Sequence, residues 1–239
     1  MSDMETFGKY LKEAGCDFCT EGSVEKFLVF AVQLKEWNEK FNLTAVSGMR
    51  DIIIKHFIDS LMLVKAYQSL DSLTIADIGT GAGFPGIPVA IAKPSARVTL
   101  FESNSKKISF LEHIKSTLGL ENLEIIEGRS EEISRDKKYR EYFDVAAMRA
   151  LAPFPIALEI SSGLVKKEGS LAYFASRKQL QEINSDNVWL KDLGCRMEKT
   201  FEYELPENYG RFCIVTLKKT GPTPAKYPRI YSMIKKKPL

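Results

Sequence analysis

The run Asp77-Ile78-Gly79-Thr80-Gly81 is the first place in this chain where residue type and spacing imply chemistry. A carboxylate two positions before a glycine, with a second glycine close behind, sets a negative charge beside backbone that carries no Cβ. Such a turn adopts positive φ and lets main chain come close to a ligand. Thr74–Ile78, which leads into it, is short, apolar and β-branched, as a buried strand should be. Gly83 and Gly86 follow, then Ile87, Val89, Ala90, Ile91 and Ala92, which suit a helix. Strand, glycine turn and helix together form a cradle for a nucleotide-like ligand.

Two ligands fit this cradle. Gly81 to Gly86 satisfies G-x-G-x-x-G, and Glu102 follows at about the spacing of a ribose-binding acid, which suggests a dinucleotide and hence an NAD-binding oxidoreductase. The earlier D-x-G-x-G pattern is the one associated with S-adenosylmethionine in class I methyltransferases. That ligand has no pyrophosphate to lay on a helix N-terminus; its amino-acid end carries an ammonium that favours a carboxylate or carbonyls. Glu102 would then accept hydrogen bonds from the ribose hydroxyls, or else be a solvated acid at a strand end. Ser130-Glu131, just past another strand, could take the adenine, or simply open a surface turn. Arg129 and Arg149 lie near the same edge, where each could grip a phosphate or stack on a base, or pair with an acid such as Glu131 or Asp144. His56 and Asp59, at i and i+3 on one helical face, read as a structural link between the N-terminal helices and the glycine loop. Trp37 and Asn42 could touch RNA, with core packing and a helix end as the plainer readings.

The elements that must position these residues follow from periodicity. Val24, Phe27, Leu28, Ala31, Leu34 and Phe41 recur at helical steps within Ser23–Phe41, and Ser23 is placed to cap that helix. Asn42-Leu43-Thr44 breaks it, and Arg50–Tyr67 resumes with Ile53, Ile54, Phe57, Leu61 and Val64 inward. After Thr74 strands and helices alternate. Strands are expected over Arg97–Glu102, Leu123–Glu127, Phe143–Met148 and Gly169–Ala175, and helices over Ser105–Leu118, Phe154–Val165 and Gln179–Leu193. Arg196–Tyr203 and Phe212–Lys218 close the chain as a hairpin around Pro206–Gly210. Alternation of this kind implies an α/β fold with a mostly parallel sheet covered by helices on both faces. It divides the chain into an N-terminal helical extension (1–70), an α/β domain (71–219) and a basic C-terminal tail (220–239).

Composition narrows the classes. A chain of 239 residues, 44% of them hydrophobic, has the length for a sizeable core. No apolar run approaches the roughly 18 residues of a membrane span, and the N-terminus has early acids and no apolar core of a secretory signal, so a cytoplasmic location is expected. Cys16 and Cys19 form a lone C-x-x-C with Cys195 and Cys213 far away; without a second close pair, buried thiols are a better reading than a metal site. The net charge of +3 is mild, yet Lys218, Lys219, Lys226, Arg229, Lys235, Lys236 and Lys237 run to the end without an acid. This tail is the expected nonspecific phosphate contact.

Taken together these segments resemble the RsmG (GidB) family of bacterial 16S ribosomal RNA methyltransferases. The likeness runs in order through Trp37-Asn38, Asn42-Leu43-Thr44, His56-Phe57-Ile58-Asp59-Ser60-Leu61, Asp77–Pro88, Glu102 through Lys106-Lys107, Phe110-Leu111, Arg129-Ser130-Glu131, Arg149-Ala150 and Lys226-Tyr227-Pro228-Arg229. The resemblance implies a class I S-adenosylmethionine-dependent methyltransferase fold, Rossmann-like and seven-stranded, with S-adenosyl-L-methionine as cofactor. It implies methylation of N7 of a guanosine in the 530 loop near the decoding centre, with 16S rRNA or the 30S subunit as partner and a monomeric enzyme. Gly79, Phe84, Ser130, Glu131 and Arg149 would be cofactor contacts, joined by Gly81 and Glu102 from the general fold; Arg129 and Arg149 would hold the nucleotide for catalysis. One departure stands out: where relatives carry a lysine after the fifth strand, this chain has Ala175, with Arg177 and Lys178 close behind. An RNA-binding protein of this fold without activity is the alternative that the departure suggests.

Overall fold

The computed structural model describes residues 3–67, 69–183 and 188–239. Helices come first: α1 (Asp3–Glu13), α2 (Glu21–Phe41), α3 (Met49–Ile52) and α4 (Asp59–Ala66), the last two joined without a break by a π-helical turn, Ile53–Ile58. The start of α2 differs from expectation. Thr20, not Ser23, is its N-cap: Thr20 Oγ1 accepts from the Ser23 backbone N–H at 3.2 Å, because the helix begins two residues earlier, at Glu21. Asn42 ends it in the left-handed region at φ 49°, and Asn38 Oδ1 accepts from Thr44 N at 2.8 Å to turn the chain back.

The sheet is then laid down as β1 (Thr74–Ile78), α5 (Gly86–Ala92), β2 (Arg97–Glu102), α6 (Ser105–Leu118), β3 (Leu123–Glu127), α7 (Ser130–Ile133), β4 (Phe143–Met148), α8 (Phe154–Ser162), β5 (Val165–Ser176), α9 (Arg177–Glu182), α10 (Val188–Asp192), β6 (Cys195–Leu205) and β7 (Gly210–Lys219), with α11 (Tyr231–Lys236) last. Its seven strands take the order β3-β2-β1-β4-β5-β7-β6, parallel except for β7. The expected hairpin is present, with a 3-10 turn at Pro206–Asn208.

Two boundaries moved. The helix expected to reach Val165 stops at Ser162, and Val165 already pairs with Phe143 in the sheet. Lys166-Lys167-Glu168, exposed charges that read as a loop, lie in β5 at an irregularity between the Phe143 and Val145 pairings. The helix expected over Gln179–Leu193 is two helices, α9 and α10, and its residues 184–187 lie outside the described ones. Ser176 and Gln179 form a capping box that starts α9 directly at the end of β5.

Each sheet face has its own core. On one face α1, α2, α4, α5 and α6 pack around Phe7, Phe27, Phe30, Phe57 and Phe110, so the N-terminal helices share a core with the sheet. On the other, Phe101, Phe143, Phe154 and Leu158 gather with Tyr227 and Ile234 of the C-terminal segment. Strand order reverses direction between β1 and its neighbours β2 and β4, and the crevice beyond their carboxyl ends is where such sheets bind ligands.

Candidate functional site

The glycine turn is organised by Asp77, which is 1% exposed. Its Oδ2 accepts from Gly86 N at 2.7 Å and from Thr80 Oγ1 at 2.6 Å. A Cβ on Gly86 would stand 2.8 Å from that same oxygen and against Leu100, so only glycine lets the backbone reach it. Gly79 holds φ +64°, and a Cβ there would lie 2.6 Å from Leu151 Cδ1. Asp77 Oδ1 has no hydrogen-bond partner among the described residues. Burial pushes the carboxyl up to about 7, against the pull of the Thr80 and Gly86 donors and the Arg149 charge. A buried acid with one oxygen unmatched is what a ligand ammonium or hydroxyl would complete.

Glu102 is buried at the end of β2 and is not a solvated acid. Oε2 accepts from Gly81 N at 3.0 Å, and Oε1 accepts from Ser103 N at 2.8 Å and Asn104 N at 2.9 Å. These amides fix the carboxylate and leave Oε2 a lone pair for a ribose hydroxyl. Beyond it opens a cavity walled by Gly79, Glu102, Arg129, Ser130, Glu131 and, from the far end of the chain, Tyr231. Five of the sequence-derived site residues therefore meet around one cavity. Gly81, Phe84 and Arg149 are not among its walls.

Arg149 stands apart, at the carboxyl end of β4, and is held by the N-terminal helices. Its Nε donates to Asp59 Oδ2 at 2.7 Å and its Nη2 to the Lys55 carbonyl in the π-helical turn, also at 2.7 Å. Asp59 Oδ1 accepts from Tyr203 on β6 at 2.5 Å. Burial and the Asp59 charge raise the Tyr203 phenol well above its ordinary range, so it serves only as a donor. The partner expected for Arg149 was Glu131 or Asp144; Asp144 is instead taken by Lys166 and Thr74. Tyr203 was not foreseen, although the alternation Phe201, Tyr203 on a half-buried strand marks it as inward-facing.

The link from His56 to the glycine loop is a ring stack: its imidazole lies 4.4 Å from the Phe84 ring at 19°. Burial, helped by the Arg149 charge, pushes His56 down to about 3, so the ring is neutral. Nε2 meets Thr44 Oγ1 at 2.8 Å. Phe84 also stacks on Phe30 and so faces the N-terminal core. Trp37 packs on Phe41, Phe110 and His113, the plainer of its two readings.

The cations divide into held and unheld. Arg129 is exposed at the cavity mouth, and its guanidinium makes no hydrogen bond or ion pair among the described residues. Arg177 and Lys178 are likewise exposed and unpaired at the start of α9. Ala175 is 3% exposed within β5 and paired with Cys213. The tail differs from a loose basic arm. Arg229 donates through N, Nε and Nη2 to the wholly buried Glu159 (2.9, 2.7 and 2.5 Å), and Lys219 is buried with Glu141 and the Gly221 carbonyl. Both are spent internally; Lys226, Lys235, Lys236 and Lys237 remain exposed. Burial pushes the Cys16 and Cys19 thiols up to about 12, which makes them inert.

A family description, rRNA small subunit methyltransferase G, matches residues 23–204. The chain belongs to that family. A ribosomal RNA small subunit methyltransferase G of Thermoanaerobacter sp. (strain X514) is 41% identical over 216 residues, covering 90% of each chain. The protein of the same name from Clostridium perfringens (strain 13 / Type A) is 35% identical over the full length of both. Among solved structures, a predicted O-methyltransferase of Agrobacterium tumefaciens superposes with TM-score 0.53 at 20% identity, over 68% of this chain and 81% of that one; the likeness is one of fold. Family membership makes S-adenosylmethionine the cofactor, and the unmatched Asp77 oxygen, the fixed Glu102 carboxylate and the Ser130-Glu131 wall fit it. It also disposes of the nicotinamide reading, which rested on the second half of the glycine turn and on the spacing of Glu102.

Proposed function

We propose that this protein methylates N7 of one guanosine of 16S ribosomal RNA, in the 530 loop near the decoding centre. The observation that carries the reading is a contrast near the cofactor cavity: Glu102 and Asp59 already accept from protein donors, while the Arg129 guanidinium at the cavity mouth has no partner among the described residues. Bound S-adenosylmethionine supplies an electrophilic methyl on a positive sulfonium. Guanine N7 offers a lone pair and no proton, so it takes the methyl directly, and positive charge moves from sulfur to the purine with total charge unchanged. No general base is called for. This suits a site where His56 is neutral and stacked, Glu102 is held by backbone amides and Asp59 is committed to Arg149 and Tyr203. What remains for the protein is alignment of nitrogen, carbon and sulfur and removal of water.

In this reading Gly79, Glu102, Ser130 and Glu131 hold the adenosine end of the cofactor. Gly81, Phe84 and Arg149 shape the side of the glycine turn nearer the N-terminal helices, where Asp77 awaits an ammonium. Arg129 and Arg149 hold the nucleotide, and Arg177 or Lys178 supplies the charge that Ala175 cannot. The enzyme acts as a monomer in the cytoplasm, on RNA or an assembling small subunit; no described helix is long and apolar enough to cross a membrane. Incubation with methyl-labelled S-adenosylmethionine and undermethylated 16S RNA or small subunits tests this. Label recovered as 7-methylguanosine is expected. Absence of label from RNA would defeat the reading, and label on another atom would correct the regiochemistry.

A further inference from the structure

The cavity that takes the adenosine end is built from the ends of β1 and β2, the start of α7, the turn after β4 and Ile160 of α8, together with one residue from the C-terminal segment. Tyr231, in α11, also lines it, about seventy residues beyond its next wall residue in sequence, Ile160, and past the residues matched by the family description. Its phenol makes no hydrogen bond among the described residues and its side chain is 39% exposed, so nothing in the fold itself uses this ring. Yet its position is over-determined. Arg229, two residues earlier, is clamped to Glu159, whose neighbour Ile160 lines the same cavity. Arg135, just past α7, donates to the Pro228 carbonyl through Nε at 2.9 Å and Nη2 at 2.5 Å. On the far side of Tyr231, Ile234 is fully buried in the core. Each tie runs to an element that also forms the cavity, so the segment and the cavity move as one piece.

We infer that Tyr231 is a cofactor-binding residue: its ring covers the adenine of S-adenosylmethionine at the mouth of the cavity. The inference rests on the cofactor and not on which RNA atom is methylated. An aromatic face beside a cavity whose other walls are the Glu102, Ser130 and Glu131 polar groups and the apolar Leu151 and Ile160 matches an adenosine. The ribose diol meets Glu102, the polar edge of the purine meets Ser130-Glu131, and one flat face is left for a ring. The C-terminal segment thus belongs to the cofactor site, in addition to whatever its lysines do.

Full-length Tyr231→Ala, Tyr231→Phe and Met233→Ala proteins, titrated calorimetrically with S-adenosylmethionine and S-adenosylhomocysteine, test the inference. Tyr231→Ala should weaken both ligands by about fivefold to tenfold, the scale of a lost aromatic contact. Tyr231→Phe and Met233→Ala should stay within about twofold of the parent, and all three should melt with it. As a readout free of mutation effects on folding, 3-fluorotyrosine placed at position 231 should shift its fluorine resonance when S-adenosylhomocysteine is added and not when methionine is added. Unchanged affinity of Tyr231→Ala, or a fluorine signal indifferent to S-adenosylhomocysteine, overturns the inference while leaving the cofactor assignment intact. A parent protein that binds neither ligand overturns both.

Discussion

Arg129, at the mouth of the cavity, and Arg149, at the carboxyl end of β4, are held in opposite ways. Arg149 is fixed by a carboxylate, a backbone carbonyl and, one bond further out, a tyrosine from the last hairpin. The Arg129 guanidinium is exposed with no protein partner among the described residues. Ordering a long side chain costs entropy. At Arg149 that cost was met on folding, so its guanidinium presents a fixed geometry to whatever enters. At Arg129 it falls due on binding, which suits contact with a flexible phosphate chain. The first arrangement favours alignment and the second favours capture.

The comparison breaks most readily at Asp59. Asp59→Ala strands the Arg149 guanidinium and the Tyr203 phenol in a largely dry site, with an expected loss of about 3–5 kcal/mol of stability and a fall in methyl transfer of at least about a hundredfold. Thermal melting and single-turnover methylation measure the two. A variant that melts and turns over like the parent would show that the network orients nothing. A smaller effect is expected from Tyr203→Phe, which removes one hydrogen bond to a charge: about 1.5–3 kcal/mol of stability, with kcat affected more than KM for the cofactor. Arg129→Ala should leave stability within about 0.5 kcal/mol, weaken RNA binding and lower the slope of log affinity against log salt by about 1. A parental slope would mean that Arg129 meets no phosphate.

The subtlest test concerns pH. Burial raises Asp77 from 3.8 to about 7, so between about pH 4 and 7 the folded, cofactor-free protein keeps a proton that the unfolded chain releases, and stability falls as pH rises through that window. His56 is lowered from 6.5 to about 3. There the unfolded chain binds the extra proton, and stability falls as pH drops through 6.5 towards 3. The two slopes oppose each other. Asp77→Asn should therefore unmask a stability that climbs between pH 4 and 6.5, and His56→Gln one that declines. Denaturant midpoints across that range would show it, and parallel profiles for both variants would refute it.

Most of the sheet was legible because glycine turns, short β-branched runs and helical periodicity are local signals. Thr74–Ile78, Arg97–Glu102, Leu123–Glu127 and Phe143–Met148 read directly as strands with the bounds they have in the fold. The start of β5 was not, since Lys166-Lys167-Glu168 looks like a loop until the bulge beside Phe143 brings it into the sheet. Gly79, Glu102, Arg129, Ser130 and Glu131, which line one cavity, stood out in the sequence for the same local reasons. Partners were harder to read: Arg149 lies 90 positions from Asp59 and Tyr203 144, and no short-range pattern reports a hydrogen bond across the fold. The tail was expected as a phosphate contact throughout, and charge composition does not reveal that Glu159 is waiting inside for Arg229.

Arg135 and Arg140 reach the segment from Thr223 to Pro228 entirely through carbonyl oxygens: Pro228 for the first, Thr223, Pro224 and Tyr227 for the second. Every residue type offers a carbonyl. The path of this stretch is thus written in two arginines elsewhere and, among its own residues, in the buried Thr223 and Tyr227. Lys226 and its exposed neighbours are free to be exchanged for other side chains in the course of evolution or redesign, while the chain still delivers Tyr231 to the same place.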